Sequence, residues 1–523
     1  MKLKKILLIF LALTPALPAQ NTRGIDVLHY DIAITIDDSS AVIRGETRLY
    51  LRMTAPADSL VLDFAGLSVT GVRAAGTAAA FSHRADSLVI RPATQLTARD
   101  TLSLSIRYSG QPADGLIIRP NKHGRRSIFA DNWPNRARFW FPGHDHPSDK
   151  ATVTFRITAP QHFAVIANGR LQRIRNNLDG TRTTFYSMPV ALPTYCMVFG
   201  AAEFDRIFLP GPVPISYWSF PEDSEDARRE FRRAGEMLRY YTKRFGPYPF
   251  TKLALVQSST RFGGMENAGA IFFAEQSIGA PGSIEETVAH EIAHQWFGDW
   301  LTPEDWQHLW LSEGFATYFG MQFFEFADGT QAFRNLLKNR RKRYLSARSL
   351  HEKPILARKP ENLMHLLNAN NYTKAGWVLH MLRSEMGDSA FWQGIKNYVA
   401  EFQGRNVSSA DFQRTMQQYS PVPLGRFFQQ WIAGAGIPEL LISTRWQEKE
   451  RRLQIEVVQE QKTPLMQLPL QLAVHSEGRS TLHELQLTER ITRSSLPLPK
   501  KPERIVADPN VRLLAAFRFE PDE

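Results

Sequence analysis

Two histidines four residues apart, His290 and His294, constrain the fold of this chain more than any other feature. Residues at this spacing lie on one face of an α-helix, so the pattern predicts a helix that presents both rings together. Glu291 follows the first histidine and lies one step around that helix, at the edge of the same face. Glu313 stands nineteen residues after His294, within the stretch 309–316, which predicts a second helix.

Two histidines and one glutamate form a ligand set that is typical of a catalytic zinc site. Imidazole nitrogens and carboxylate oxygens both bind zinc, and three protein ligands leave the fourth tetrahedral position open for water. We therefore predict one Zn²⁺ ion held by His290, His294 and Glu313. Glu291 can reach the water at the open position but not easily the metal, which makes it the candidate general base.

The residues before the first histidine predict where its helix begins. Ser283 and Glu286 have the Ser-x-x-Glu spacing of a capping box. Ile284, Val288 and Ile292 recur every four residues and predict a buried face that differs from the histidine face. A pair of core histidines with no metal is the alternative interpretation of this segment.

A second motif, Gly-Gly-Met-Glu-Asn at 263–267, stands upstream of the histidines. With it, the chain resembles the zinc aminopeptidases related to aminopeptidase N and leukotriene hydrolase. Their signature is a Gly-x-Met-Glu-Asn strand, then His-Glu-x-x-His, then a distal glutamate. The segments Phe-Gly-Pro-Tyr-Pro-Phe at 245–250 and Tyr-Thr-Lys at 372–374 are also typical of that family. The resemblance extends from about residue 25 to the C-terminus and is strongest over 245–435.

The motif at 263–267 suits recognition of a peptide end. A peptide along an exposed strand edge is held by main-chain hydrogen bonds, and glycines let its backbone come close. A carboxylate at the end of the strand can bind a free α-ammonium group, and the resemblance assigns that role to Glu266. The predicted substrate-binding residues are Gly263, Gly264, Met265, Glu266 and Asn267. A glycine-rich turn with an exposed glutamate is the alternative.

The resemblance also assigns a catalytic role to Tyr372. In the family, a tyrosine at this motif points its hydroxyl at the carbonyl oxygen under attack, where a preorganised donor stabilises the developing oxyanion. The family usually has glycine directly after the lysine of this motif, whereas this chain has Ala375 and then Gly376. Taken alone, a tyrosine followed by Trp377 and Leu379 on a helix reads as a core residue, so a purely structural role is the alternative.

Together the two motifs predict a zinc-dependent aminopeptidase that removes N-terminal residues from peptides. Glu291 is the predicted general base, Tyr372 stabilises the oxyanion, and Glu266 fixes the free amino terminus. The expected partners are therefore peptides with a free N-terminus. The alternatives are a zinc endopeptidase in which Glu266 is idle, a non-peptide hydrolase of the leukotriene-hydrolase type, and a non-catalytic peptide-binding protein.

The chain departs from the family pattern shortly before Arg138. Relatives often carry a glutamine or glutamate there that helps to bind the substrate amine. By offset from Arg138, the matching position in this chain is Trp133. We expect the neighbouring Asp131 or Asn132 to take over that role, and the sequence leaves open which of them does so.

The apolar patterns predict a multidomain chain. Residues 20–205 are β-rich, with alternating apolar residues over 30–36, and correspond to the saddle-shaped β domain of the family. Residues 206–437 form the predicted catalytic domain, for which the family resemblance implies a thermolysin-like α/β plus α fold. Residues 438–523 return to alternating strands and predict a small β-sandwich. Many relatives continue into a helical domain that covers the active site; this chain stops before it, so we expect an open cleft.

The first nineteen residues have the pattern of a secretory signal peptide, 1–19. Lys2, Lys4 and Lys5 precede an apolar run that is short for a membrane span and ends near Ala19. We expect cleavage near Ala19, export to the periplasm or the extracellular space, and no transmembrane segment in the mature chain. The sequence does not indicate an oligomeric state.

Charge and cysteine content narrow the remaining classes. The formal net charge is +11, and the densest basic run, 340–343, is expected to be a solvated helix face. No nucleic-acid-binding fold or aromatic pattern accompanies it, so nucleic acid is not an expected partner. The single cysteine, Cys196, cannot form an internal disulfide, and its apolar, strand-like surroundings predict a buried small hydrophobic residue.

Overall fold

The computed structural model describes residues 23–357 and 360–520, so the predicted signal peptide at 1–19 lies outside the described residues. Within the described residues, no helix combines the length and the apolar character that are needed to cross a membrane. The chain begins with strands, continues into a part that is rich in helices, and returns to strands.

The first part of the described chain forms three β-sheets. Its strands are β1 (Ile25–Thr35), β2 (Ile43–Met53), β3 (Leu60–Asp63), β4 (Ser68–Ala74), β5 (Thr77–Ala78), β6 (Ala80–Arg84), β7 (Ser87–Arg91), β8 (Thr101–Gly110), β9 (Leu116–Pro120), β10 (Arg126–Ala130), β11 (Lys150–Pro160), β12 (Ala164–Ala167), β13 (Arg170–Asn176), β14 (Thr181–Pro193) and β15 (Phe199–Ala202). The largest sheet has the order β13-β14-β11-β1-β2-β8-β4-β5, in which β1 and β11 run parallel. The smaller sheets have the orders β12-β15-β10-β9 and β3-β7-β6.

The alternating apolar residues of this part face the core, as predicted. Tyr30, Ile32 and Ile34 of β1 are buried, whereas the residues between them keep partial exposure. Leu104 and Ile106 of β8 are buried in the same way. Because side chains alternate between the two faces of a strand, a slip of one residue would turn these sets to solvent, so the burial pattern fixes the register of the sheet.

The middle part places a mixed sheet beside a group of helices. Its strands are β16 (Asp205–Leu209), β17 (Ile215–Ser219), β18 (Leu253–Ser258), β19 (Gly264–Met265), β20 (Ala270–Ala274), β21 (Thr302–Pro303) and β22 (Asn406–Val407), and its helices are α1 (Ser224–Phe231), α2 (Ala234–Phe245), α3 (Glu285–His294), α4 (Trp310–Asp328), α5 (Thr330–Ser346), α6 (Ala375–Met386), α7 (Asp388–Phe402), α8 (Ser409–Tyr419) and α9 (Gly425–Phe428). The sheet order is β16-β17-β18-β20-β19, so β19 is an edge strand, antiparallel to β20. An edge strand keeps a row of main-chain donors and acceptors unpaired, which peptide binding by strand addition requires.

The predicted capping box at the start of α3 is wrong. Helix α3 begins at Glu285, and the Ser283 hydroxyl accepts a hydrogen bond from the Glu285 N–H (3.2 Å) instead of capping with Glu286. The Glu230 carboxylate of α1 accepts hydrogen bonds from the Ile284 N–H (3.0 Å) and the Ser283 hydroxyl (3.3 Å). An acid from another helix therefore compensates the positive end of α3, and the local sequence around α3 does not contain that information.

The last part forms two further sheets. Its strands are β23 (Glu439–Gln447), β24 (Arg452–Gln459), β25 (Leu468–Ser476), β26 (Arg479–Leu487), β27 (Ile491–Pro497), β28 (Arg504–Ala507) and β29 (Ala516–Phe519), in the orders β27-β24-β23-β29 and β26-β25-β28. The apolar residues that alternate along β24 and β25 are buried, as predicted: Leu453, Ile455, Val457, Leu468, Leu470 and Leu472.

The basic run on α5 is not simply a solvated face, and that expectation is wrong for two of its residues. Arg341 donates hydrogen bonds to the Asp508 carboxylate (2.6 Å) and to the Leu513 carbonyl (3.0 Å), both in the last part of the chain. Arg340 donates to the Glu286 carboxylate on α3 (3.0 Å). The run therefore ties α5 to two neighbouring elements.

Cys196 is fully buried, as predicted, but it does not lie in a strand. It ends a short 3₁₀ turn, Thr194–Cys196, that precedes β15. Its thiol donates to the Asp299 carboxylate (3.2 Å), so this residue takes part in a buried polar network as well as in the core.

Helices α4 and α6 approach closely at Gly314. A Cβ atom on Gly314 would lie 2.5 Å from the Ala375 Cβ, and a Cβ atom on Gly376 would lie 3.0 Å from the Thr317 side chain. The order of alanine and glycine after the Tyr-x-Lys motif therefore fits this contact: Ala375 packs on a glycine of α4, and Gly376 leaves room for Thr317. The contact sets the distance between α4 and the start of α6.

We predict that Gly314→Ala lowers the free energy of unfolding by about 1–3 kcal/mol, because the added methyl group has no space between the helices. Urea and thermal denaturation measure this loss. Gly235→Ala in α2 is the control, since its Cβ would make only ordinary contacts at 3.5 Å or more. Wild-type stability of Gly314→Ala would contradict the close packing of α4 and α6.

Candidate active site

The three predicted metal ligands converge between α3 and α4. The Nε2 atoms of His290 and His294 lie 3.0 Å apart, and Glu313 Oε2 lies 3.2 Å from the first and 3.3 Å from the second. Ligands bound to one tetrahedral zinc ion at about 2.1 Å would stand about 3.4 Å from each other. Two imidazoles and a carboxylate at this spacing fit a single zinc ion, so the structure brings together the residues that the sequence indicated.

The ring of His294 is held in the tautomer that a metal ligand needs. Its Nδ1 lies 3.0 Å from the Phe297 carbonyl oxygen, which only accepts hydrogen bonds, so Nδ1 carries the proton and Nε2 keeps its lone pair. The Ser312 hydroxyl lies 3.0 Å from the same Nδ1. Because Ser312 directly precedes Glu313, this contact also holds α4 in register with α3.

The two glycines of the motif serve different purposes. A Cβ atom on Gly264 would lie 2.3 Å from Glu291 Oε1, so a larger residue there would displace that carboxylate. A Cβ atom on Gly263 would meet nothing within 4 Å, and Gly263 lines the cavity above the ligands. Glycine at 264 therefore makes room for Glu291, whereas glycine at 263 leaves open space in the cavity.

Glu266 and Glu291 are buried beside the metal ligands. Glu266 is only 5% exposed, which excludes the alternative of a turn with an exposed glutamate. Carboxylate oxygens of both glutamates and a ring nitrogen of His294 lie within 4.8 Å of one another. Burial raises the pKa of both carboxyl groups above the usual range, and a cation placed among them would favour their ionised forms.

Tyr372 lies in a π-helical turn, Asn370–Lys374, directly before α6. Its hydroxyl donates to Glu313 Oε1 (2.7 Å), and its ring stacks beside that of His290 with centroids 6.1 Å apart. The side chain lines the same cavity as the metal ligands. The structure therefore places Tyr372 in the site and not in a helix core, which the pattern of residues around it would also have allowed.

Apolar side chains form one wall of a cavity of about 210 Å³ above the ligands. They are Trp133, Phe262, Met265 and Leu367. Phe262 and Leu367 are not among the site residues predicted from the sequence. Adjacency to the glycine motif was an available signal for Phe262, whereas Leu367 comes from the loop before α6 and no spacing rule points to it.

Neither Asp131 nor Asn132 reaches the cavity, so the expectation that one of them binds the substrate amine is wrong. The Asp131 carboxylate pairs with Arg136 (3.2 Å) and Arg261 (3.1 Å). The Asn132 amide donates to the main-chain carbonyls of Thr194 and Met197 and accepts a hydrogen bond from the Trp140 indole. Trp133, at the position that the offset from Arg138 indicates, lines the cavity and presents an apolar ring there instead of a polar amine ligand.

Asn267 does not line the cavity either, although the other four residues of its motif do. It is fully buried in the turn between β19 and β20, where its main-chain carbonyl accepts a hydrogen bond from the Ala270 N–H (2.9 Å). Asn267 therefore forms part of the turn that follows Glu266, and the structure does not place it where it was predicted to contact substrate.

Comparison with protein families agrees with this geometry. The family model described as "Peptidase family M1 domain" matches residues 229–431, and "Peptidase M1 N-terminal domain" matches residues 27–196. The chain belongs to peptidase family M1. The family predicted from the two motifs is thereby confirmed, and so is zinc as the cofactor of this M1 peptidase, because the donor set described above is one that zinc accepts.

The named relatives include several aminopeptidases. A probable aminopeptidase 2 of Sulfurisphaera tokodaii is 27% identical over 434 residues, which are 79% of this chain and 54% of the relative. Human glutamyl aminopeptidase is 28% identical over 340 residues, 61% of this chain and 35% of the relative. This M1 peptidase spans about half the length of curated relatives such as the probable aminopeptidases of Sulfurisphaera tokodaii and Saccharolobus solfataricus.

Solved structures share the fold over most of the chain. An M1 zinc metallopeptidase from Deinococcus radiodurans superposes with a TM-score of 0.68 at 28% identity, covering 80% of this chain and 95% of that one. A mutant of the Deinococcus radiodurans enzyme bound to a Tyr-Ser-Ala substrate gives a TM-score of 0.67 at 28% identity, with coverages of 78% and 94%. The N-terminal and catalytic parts therefore have the fold of a zinc metallopeptidase.

We predict that His290→Ala lowers zinc affinity by at least about 100-fold, more than the loss of an outer-shell partner costs. Elemental analysis after dialysis against zinc-free buffer measures the bound metal. His308→Ala is the control, because His308 is buried and hydrogen-bonded to Ser409 outside the site. Full zinc occupancy in His290→Ala would refute the ligand assignment.

We further predict that Gly264→Ala lowers kcat for peptide hydrolysis by about 10²-fold, the cost of misplacing a catalytic group by about 1 Å. Gly263→Ala is the matched comparison: its methyl group enters the cavity, so it should raise KM and leave kcat closer to wild type. Steady-state kinetics separates the two effects. A normal kcat in Gly264→Ala would show that Glu291 does not need its place against β19.

Proposed function

We propose that this M1 peptidase is a zinc-dependent aminopeptidase that removes single residues from the N-terminus of peptides. The observation that carries the proposal is the place of Glu266, buried beside Glu291 and the metal ligands. A free α-ammonium bound to Glu266 would bring the first peptide bond to the metal ligands. The names of the aminopeptidase relatives, and the peptide bound to the Deinococcus radiodurans mutant, support the same substrate class.

The chemical roles follow from the positions of the side chains. When bound, zinc lowers the pKa of a water molecule and polarises the carbonyl of the bond to be cleaved. Glu291 accepts a proton as general base and delivers it to the leaving amine. The Tyr372 hydroxyl, which donates to Glu313 in this structure, can turn to donate to the developing oxyanion. The edge of β19 holds the peptide backbone.

The cavity walls favour an apolar N-terminal side chain. Trp133, Phe262, Met265 and Leu367 offer aromatic and aliphatic surface, and burying an apolar side chain against them is favourable. A charged side chain would lose hydration there without gaining a partner on this wall. We therefore infer a preference for apolar and aromatic N-terminal residues.

We also propose the division of the chain at residues 206 and 438. The mixed sheet that starts with β16 supports the first boundary, and the two sheets that follow α9 support a C-terminal β-sandwich over 438–523. Export with cleavage near Ala19, to the periplasm or the extracellular space, rests on the signal pattern at 1–19 alone.

A panel of aminoacyl-p-nitroanilides tests the function, with and without a zinc chelator and with zinc added back. We expect release from free leucyl and phenylalanyl substrates that the chelator abolishes, and no release from the N-acetylated forms. Cleavage of N-acetylated substrates at a similar rate would point to an endopeptidase. No release by the zinc-loaded chain would refute the proposal.

We predict that Glu291→Gln keeps its zinc and loses at least about 10²-fold in kcat, the lower end for the loss of a general acid–base group. Elemental analysis and steady-state kinetics measure the two quantities. Glu286→Gln, one turn earlier on α3 and half-exposed, is the matched control and should keep its activity. Near-wild-type turnover of Glu291→Gln would remove Glu291 from the mechanism.

A further inference from the structure

Gln295 connects the metal ligands to the turn that carries Glu266. It directly follows His294 in the sequence, and its side chain is fully buried. Its Nε2 donates to the Glu266 main-chain carbonyl (2.5 Å), and its Oε1 accepts a hydrogen bond from the Gly269 N–H (2.8 Å). These two bonds grip the two ends of the turn between β19 and β20, and they fix which atom of the amide is nitrogen and which is oxygen.

Two further side chains hold Gln295 itself in place. The second N–H of its amide donates to Asp299 Oδ2 (2.9 Å), and the Tyr248 hydroxyl, whose single proton is shared with the Lys252 carbonyl (3.1 Å), lies 3.0 Å from Oε1. A primary amide has two N–H donors and two acceptor lone pairs, so every hydrogen-bonding capacity of Gln295 is used. Asp299 is held in turn by the thiol of Cys196 (3.2 Å).

We propose that Gln295 is a positioning residue that fixes the distance between the amine anchor Glu266 and the metal ligands. The inference rests on the proposed aminopeptidase function. An extended peptide advances about 3.3 Å per residue, so a displacement of Glu266 by that amount would bring the next peptide bond to the metal. Release of one residue at a time therefore requires that this spacing stays well within one residue length, and Gln295 spans it through a single side chain.

The turn has a second support that does not involve α3. Asn168, from the loop after β12, donates to the Ala268 carbonyl in the same turn (2.9 Å). Replacing Gln295 therefore leaves the turn attached to the N-terminal part and releases it from the helix that carries His294. The expected defect lies in the relative position of anchor and metal ligands and not in the formation of the turn.

The test compares Gln295→Met with Gln257→Met in the full zinc-loaded chain. Methionine keeps the side-chain volume and removes the amide. Gln257 is also fully buried, and its amide bonds to Asp223 (2.6 Å) and to the Phe220 N–H (2.9 Å) away from the cavity. We expect both variants to lose stability, but only Gln295→Met to raise KM for free aminoacyl substrates at least about tenfold, the equivalent of one lost hydrogen bond to a buried group.

Cleavage position gives a second readout that loss of stability alone would not change. Mass spectrometry of a digested decapeptide should show single residues released by wild type and by Gln257→Met, and dipeptides in addition from Gln295→Met. Unchanged KM and strict single-residue release by Gln295→Met, with a fall in Tm like that of Gln257→Met, would overturn the proposal.

Tyr248→Phe keeps the proposal testable if Gln295→Met does not fold. This variant removes the hydroxyl that Gln295 Oε1 shares with the Lys252 carbonyl, and it should raise KM in the same direction by a smaller factor; an unchanged KM would overturn the proposal. A wild-type chain that is inactive on free substrates would overturn the proposed function and this inference together. An active wild type with a normal Gln295→Met variant overturns this inference alone.

Discussion

The packing of α3 against α4 is the interaction on which the site depends. Both histidine ligands come from α3 and the glutamate ligand from α4, so the ligand set exists only while the two helices keep their register. Gly320 allows the approach, since a Cβ atom there would lie 3.3 Å from the His290 main-chain nitrogen. One turn and a half earlier on α4, Gly314 allows the approach of α6 in the same way and brings Tyr372 to Glu313. Glycines on α4 thus help to place His290, Glu313 and Tyr372 relative to one another.

The site concentrates acidic groups where water is scarce. Burial raises the pKa of Glu266 and Glu291, and their carboxylates also face the Glu313 ligand. Such a cluster is costly unless cations enter it, and the two cations that fit are a metal ion at the histidines and an ammonium group at Glu266. The electrostatics of this cluster are therefore complementary to a peptide with a free ammonium group, which brings the second positive charge.

Sequence reasoning succeeded where geometry is local. Helical spacing determines which residues share a face, and this was enough to identify the ligands on α3. The strand at the Gly-Gly-Met-Glu-Asn motif was predicted from the family resemblance, and it is the edge strand β19. Sequence reasoning failed where a partner arrives from a distant segment: Glu230 replaces the capping role predicted for Ser283. It also failed between neighbours, because Asp131 pairs with Arg136 and Arg261 and its neighbour Trp133 lines the cavity instead. The offset from Arg138 indicates which part of the chain is near the site. Packing decides which side chain of that part faces the cavity.

A crystal structure of the zinc-loaded Glu291→Gln variant with a bound tripeptide would test the central claim most directly. The peptide should have a free amino terminus and an apolar first residue. We expect its ammonium group to lie within hydrogen-bond distance of the Glu266 carboxylate, with the first carbonyl beside His290, His294 and Glu313. An ammonium group bound away from Glu266, or an internal peptide bond beside the metal ligands, would contradict it.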